Sequence, residues 1–151
     1  MKKFRFSMEK LLSYKGQMLD SEMMTLAVLN NMLTREQLKL YTYKNELNKC
    51  KSELETKMKE QTTPAECQSY VYYEKHLKDQ IRLSEKKIAD INKQRELQLS
   101  AVKNLKLETK SLETIKESKF NDYKKEDLKR TELIVDEFVS TARIMNMNKS
   151  L

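Results

Sequence analysis

Glycine and proline occur once each, at Gly16 and Pro64, tryptophan is missing, and cysteine is confined to Cys50 and Cys67. A compact fold of mixed elements needs turn residues roughly every ten positions, so sandwiches, barrels and wound α/β folds are excluded. Phosphate loops and dinucleotide fingerprints need several glycines and are excluded with them. Two cysteines without a CxxC spacing make neither a disulfide framework nor a zinc site. Free thiols without staples suit a reducing cytoplasm. Long apolar runs are missing as well. The least charged stretch, 16–34, still holds Asp20 and Glu22, and its Leu26-Ala27-Val28-Leu29 run falls far short of the roughly 20 residues a membrane span needs. The opening Met1-Lys2-Lys3-Phe4-Arg5 has the charge of a signal peptide, but Glu9, Lys10 and Lys15 interrupt any apolar segment after it. The expectation is a soluble chain that is not secreted by this route.

What the 151 residues do contain is charge of both signs, 35% of the chain, with 30 basic residues against 23 acidic and a net charge of +7. The signs are interspersed, as on a solvated helical surface; a basic tail would cluster them. Only the first fifteen residues are concentrated, with Lys2, Lys3, Arg5, Lys10 and Lys15 against Glu9. Nucleic-acid binders usually carry a basic stripe with interleaved aromatics, and none is present.

From Leu12 a leucine recurs every seven residues through Leu19, Leu26, Leu33, Leu40 and Leu47 to Leu54. That period keeps one stripe of a helix on a partner helix. The second column is mixed: Leu29, Tyr43 and Cys50 are interrupted by Lys15, Glu22 and Glu36. Ser7 is placed to cap the first turn, with Phe6 packing on Leu11 as a staple. The pattern stops at Gln61-Thr62-Thr63-Pro64-Ala65-Glu66, where Thr63 as cap, Pro64 at the first helical position and Glu66 make a capping box. Downstream the seam reads Cys67, Tyr70, Leu77, Ile81, Ile88, Ile91, Val102, Leu105 and Leu112. Glu74, Ser84, Arg95, Gln98 and Thr109 lie in the same frame. The phase then drifts through Ile115, Phe120 and Tyr123 and resumes at Val135, Phe138, Ala142 and Met145, as a stutter does.

The reading is all-α: one coiled-coil domain over 1–151, with helix one about 7–60, a turn about 61–65 and helix two about 66–145, folded as an antiparallel hairpin. Folding about Thr63 sets Leu47 opposite Ile81, Leu40 opposite Ile88, Leu26 opposite Val102, and Leu33 against Arg95. It also places Cys50 near Leu77 and Cys67 near Lys59, with the sulfurs roughly 15 Å apart and both reactive. The second helix is the longer, so about 20 C-terminal residues overhang without a partner. Leu128, Leu133, Ile134, Val135, Phe138, Val139 and Ile144 give that overhang an apolar face that something else must cover.

Chemistry is sparse. His76 is the only histidine, so a triad or a histidine-rich metal site would rest on it alone. Carboxylate pairs such as Glu53/Glu55 and Asp136/Glu137 follow from composition. No enzyme, cofactor or metal is expected. Tyr41 and Tyr43 on helix one, and Tyr70, Tyr72 and Tyr73 on helix two, either fill the seam or make an aromatic contact patch near the turn.

The two ends carry a resemblance. Phe4-Arg5-Phe6-Ser7-Met8-Glu9-Lys10-Leu11-Leu12-Ser13-Tyr14-Lys15 resembles the amino-terminal signature of the FliJ family of flagellar export proteins. That signature is an aromatic or apolar pair, then an L-E-K-L-L-like start and a long charged helix. Glu132-Leu133-Ile134-Val135-Asp136-Glu137-Phe138-Val139-Ser140-Thr141-Ala142-Arg143 resembles the family's acidic C-terminal segment, with Val139 where alanine is common. The resemblance implies a non-enzymatic stalk of type III export, similar to the central subunit of a rotary ATPase. Implied partners are the hexameric export ATPase, the cytoplasmic domain of the export-gate membrane protein and export chaperones, with the chain a monomer in the cytoplasm at the inner-membrane face. Phe4, Arg5, Phe6, Val135, Asp136, Glu137, Phe138, Ala142 and Arg143 are then the ring-binding residues, and Tyr43, Tyr73 and Leu77 the gate-binding ones. A structural scaffold that self-associates through 124–145 is the alternative, with a basic nucleic-acid or membrane-surface binder behind it.

Overall fold

The computed structural model describes residues 2–149, and among them holds two helices, α1 over Glu9–Lys59 and α2 over Pro64–Lys149. The fold is the all-α helical hairpin that the leucine period implies. α2 reaches further at both ends than the sequence suggests, α1 starts two residues later and stops one earlier, and the connection is residues 60–63.

The connection is built as the capping residues dictate. The Thr63 hydroxyl accepts the Glu66 N–H at 3.3 Å, and the Thr63 carbonyl accepts the Cys67 N–H at 3.3 Å. Glu66 reaches back to the neighbouring threonine, taking the Thr62 hydroxyl proton at 2.8 Å. Pro64 has no N–H to leave unsatisfied at the first helical position. Lys57 and Lys59 sit in the last turn of α1, where cations oppose the negative end of the helix dipole.

The start of α1 departs from expectation. Ser7 lies in an exposed turn, and the helix begins with Phe6 C=O accepting Glu9 N–H at 3.1 Å and Met8 C=O accepting Leu12 N–H at 2.9 Å. Phe6 is 8% exposed while Leu11 is 44% exposed. Leu11 is one residue off the seam column that begins at Leu12, which leaves much of its side chain in solvent.

The contacts divide the chain into two units, one of residues 19–104 and the other joining the N-terminal residues up to 18 to those from 105 onward. In the first unit, both heptad columns of α1 are shielded. The leucine column is half-buried from Leu19 to Leu54, and the most deeply buried positions, Leu29 and Cys50, come from the mixed column. Their counterparts on α2 are Leu77, Ser84, Ile91 and Val102. Ser84 donates to Glu36 Oε1 at 2.9 Å, Gln98 donates to the Glu22 carbonyl at 2.9 Å and to its carboxylate, and the Cys50 thiol approaches the Tyr70 carbonyl at 3.6 Å. These contacts define one antiparallel register. Leu40 comes level with Ile81, Leu33 with Ile88, and Tyr43 with Leu77.

The expected register is therefore corrected by one heptad. Leu47 does not oppose Ile81, and Arg95 meets Asn30, donating from Nε at 2.7 Å, instead of Leu33. A seven-residue period cannot separate registers that differ by seven. What separates them is the turn: Pro64 lies inside α2, so the fold is centred before it. Cys50 accordingly lies beside Tyr70 instead of Leu77.

In the second unit the N-terminal residues run along α2. Lys15 pairs with Glu108 at 2.7 Å and Glu9 with Lys116 at 2.8 Å. Phe4 packs edge-on against Phe120, centroids 5.1 Å apart, and against Tyr123 at 5.6 Å. From there α2 continues to Lys149 with its apolar side chains in solvent: Leu133, Ile134, Val135, Phe138 and Ile144 are all more than half exposed.

Candidate functional site

At the open end, the two sequence segments singled out above behave differently. Phe4 is half-buried in an aromatic cluster with Phe120 and Tyr123, whose hydroxyl donates to the Lys2 carbonyl. Phe6 is buried and Arg5 is exposed. Phe4 and Phe6 therefore anchor the N-terminal segment and leave Arg5, Lys2 and Lys3 at its surface. Lys2, Lys3 and Arg5 line a cleft of about 280 Å³ with Tyr123, Glu126, Asp127 and Arg130. On α2 the spacing of Val135, Phe138 and Ala142 places them on one face. Val135 is 53% exposed and Phe138 73% exposed; Ala142 is half-buried, and Asp136, Glu137 and Arg143 are exposed around them. The structure thus brings Phe4 onto Phe120 and Tyr123 of α2, buries Phe6, and leaves the 135–143 face open.

Nearer the connection, the three expected gate residues also separate. Tyr73 is on the surface, its phenol donating to Glu46 Oε2 at 3.1 Å and its ring stacked on His76 at 6.5 Å between centroids. The Glu46 carboxylate accepting that proton pushes the Tyr73 phenol above its ordinary pKa, with smaller contributions from desolvation and from the neighbouring acids. Tyr43 is half-buried in the seam. Leu77 is 1% exposed, the most deeply buried side chain of the unit. Of the three, only Tyr73 is an exposed side chain, and Leu77 has almost no surface to offer a partner. Glu46, Lys49, Cys50, Glu53, Tyr70 and Tyr73 line a shallow cleft here.

Cys50 is buried and Cys67 partly exposed, both as free thiols. Burial, followed by the acids Glu74 and Glu53, raises the Cys50 pKa and keeps the thiol protonated. A protonated buried thiol is a poor nucleophile. Cys50 is therefore a seam residue, and Cys67 is the more accessible of the two thiols. His76 is exposed, and among the described residues no group of three or more His, Cys, Asp or Glu is arranged to hold a metal. Among the same residues no helix is long and apolar enough to cross a membrane.

The Phe4–Phe120–Tyr123 cluster was not legible as a site, because Phe120 and Tyr123 read as a drift in heptad phase. The helix begins only at Glu9, and the non-helical Phe4 before it packs on α2. Ser84 and Gln98 were legible as interruptions of the seam, and their pairing with Glu36 and Glu22 was not.

No curated protein and no solved structure matches the chain. A family model does, the one described as Flagellar FliJ protein, and its match takes in residues 4–148, both signature ends and everything between them. The chain belongs to the FliJ family, the non-enzymatic coiled-coil components of flagellar type III protein export.

Proposed function

We propose that this chain is the stalk that couples the hexameric export ATPase to the export gate, working at the cytoplasmic face of the inner membrane and handing export chaperones back for reuse. The observation that carries the reading is the open α2 face. Phe138, Val135 and their neighbours stand in solvent on a helix whose N-terminal neighbour, the Phe4–Phe6 segment, is already packed. Apolar contacts left in water at this density mark a surface that is covered in use. The inner wall of an ATPase ring is the cover that family membership supplies. Asp136, Glu137, Arg143 and Arg5 would then be rim charges that orient the docked helix. Tyr73, exposed and hydrogen-bonded to Glu46, is the gate contact.

The test is the export ATPase assayed with a chain lacking residues 131–151. The truncation keeps every contact between the N-terminal segment and Phe120 or Tyr123. It should stay helical and lose stimulation of the ATPase. Val135→Asp combined with Phe138→Asp should do the same, since a charge replaces an apolar contact in each. Full stimulation by either variant removes the open end as the ring-binding site. If the full-length chain proves oligomeric and the truncation monomeric, the face belongs to a self-associating scaffold instead.

A further inference from the structure

The seam between α1 and α2 contains two layers that a stiff two-helix packing does not require. Glu36 and Ser84 face each other at 2.9 Å, with Ser84 only 2% exposed. Glu22 and Gln98 face each other two heptads further along, the Gln98 amide donating to both the carboxylate and the carbonyl of Glu22. Between these layers lie Leu29 and Ile91, both buried. Along this column polar residues meet polar residues and apolar residues meet apolar ones.

We propose that the Glu22–Gln98 and Glu36–Ser84 layers are a register lock, which selects the native pairing of the helices against neighbours displaced by one heptad. The leucine column cannot make that selection. Shifted by seven residues in one direction, it still places Leu47 on Ile81, Leu40 on Ile88 and Leu26 on Val102. The mixed column is unforgiving. The same shift sets Glu36 against Ile91, Glu22 against Leu105, and Leu29 against Gln98. The opposite shift sets Glu36 against Leu77 and Glu22 against Ile91. Either way two half-buried carboxylates lose their donors and face apolar side chains, and a polar group shielded from water without a partner is costly. A polar seam residue that fixes register is a known use of such groups in coiled coils.

The lock has a geometric output. One heptad moves one helix about 10 Å along the other at 1.5 Å per residue. In residues 19–104 such a slip would carry Tyr43 away from Leu77 and Glu46 from Tyr73. Within residues 19–104 the layers therefore hold the surface that Glu46 and Tyr73 compose from both helices, at a distance from that surface. They are positioning residues.

Disulfide trapping in the full chain reads the register directly. In a background with Cys50→Ala and Cys67→Ser, Leu33→Cys with Ile88→Cys reports the native pairing. Leu33→Cys with Arg95→Cys, or with Ile81→Cys, reports a slip of one heptad in either direction. Under mild oxidation the parent should cross-link at 33/88 alone. With Glu22→Leu, Gln98→Leu, Glu36→Leu and Ser84→Leu added, a slipped cross-link should rise at least tenfold while the circular dichroism stays helical. Exchange of the Glu22–Gln98 pair (Glu22→Gln with Gln98→Glu) keeps a donor against an acceptor and should restore the parent pattern. Should the four-leucine chain fail to fold, Glu36→Leu with Ser84→Leu alone is read in the same way. The proposal is overturned if the leucine chains cross-link only at 33/88, if the exchanged pair slips as the leucine chain does, or if the parent already forms slipped cross-links. None of these readouts depends on ATPase or gate binding.

Discussion

Residues 19–104 and residues 131–149 invert the usual placement of side chains. In the first stretch Ser84 is nearly inaccessible and Glu22, Glu36 and Gln98 are shielded; in the second, Phe138 is 73% exposed and Leu133 63% exposed. The α2 parts of both stretches are helical throughout. The difference is the presence of α1. Where a second helix is alongside, even polar residues are buried, provided that each finds a donor or acceptor across the seam. Where it is not, heptad-spaced apolar residues remain in water. Burial in this molecule is thus a property of the neighbour as much as of the side chain.

The comparison breaks most visibly at matched apolar truncations. Leu77→Ala removes a fully buried side chain and should cost about 2–5 kcal/mol, whereas Phe138→Ala should change the stability of the isolated chain by less than about 0.5 kcal/mol. Urea unfolding followed by circular dichroism measures both. A large cost at Phe138 would mean that the 131–149 face is already covered in the isolated chain.

Next in size is the cap of α2. Thr63→Ala removes the acceptor of the Glu66 N–H and should cost about 1 kcal/mol in the same unfolding experiment. No loss would mean that Thr62 and Glu66 alone secure the connection.

The comparison was only half legible in the sequence. Seven leucines in register and a single Thr-Pro capping signal gave both helices, their order and the unpaired end. Period alone could not give the register, since a slip of one heptad preserves every stripe. The mixed column held the missing information: Glu36 needs a polar residue opposite, and Ser84, not Ile91, satisfies it. Of the candidate sites, the 135–143 face was correctly expected to stand open. Leu77 was not recognisable as the most buried residue, because in a two-helix seam a position's depth depends on what stands level with it. Phe4 carries no helical period, so its choice of Phe120 and Tyr123 as partners left no pattern to read.

Two smaller effects sharpen the contrast between seam and surface. Cys67 should react with a thiol reagent well before Cys50, whose burial both blocks access and raises its pKa. The sign for stability follows. A thiol with a raised pKa in the folded state holds its proton more tightly there than when unfolded. Its contribution is therefore intact below the ordinary thiol pKa and is lost as pH rises through the higher folded value. Unfolding at increasing alkalinity should show a loss in the native chain that Cys50→Ala lacks. Smallest are the ion pairs Glu9–Lys116 and Lys15–Glu108, each partly exposed. Glu9→Gln should cost no more than about 1 kcal/mol and less at high salt; a salt-independent loss would mark a desolvated pair.

The hydrogen bond from Tyr123 to the Lys2 carbonyl has a practical consequence for reconstituting the protein. A tag fused ahead of residue 2 would emerge against α2 at Tyr123, just before the 131–149 stretch begins. A tag after residue 149 would prolong that same stretch. Either would crowd the surface whose occupancy is to be measured. The exposed connection at 60–63 is free of this conflict, since inserted residues are best tolerated where the backbone is solvated. Its two threonines are committed to the cap of α2, which leaves the Glu60–Gln61 bond as the place to insert a fluorophore or affinity handle.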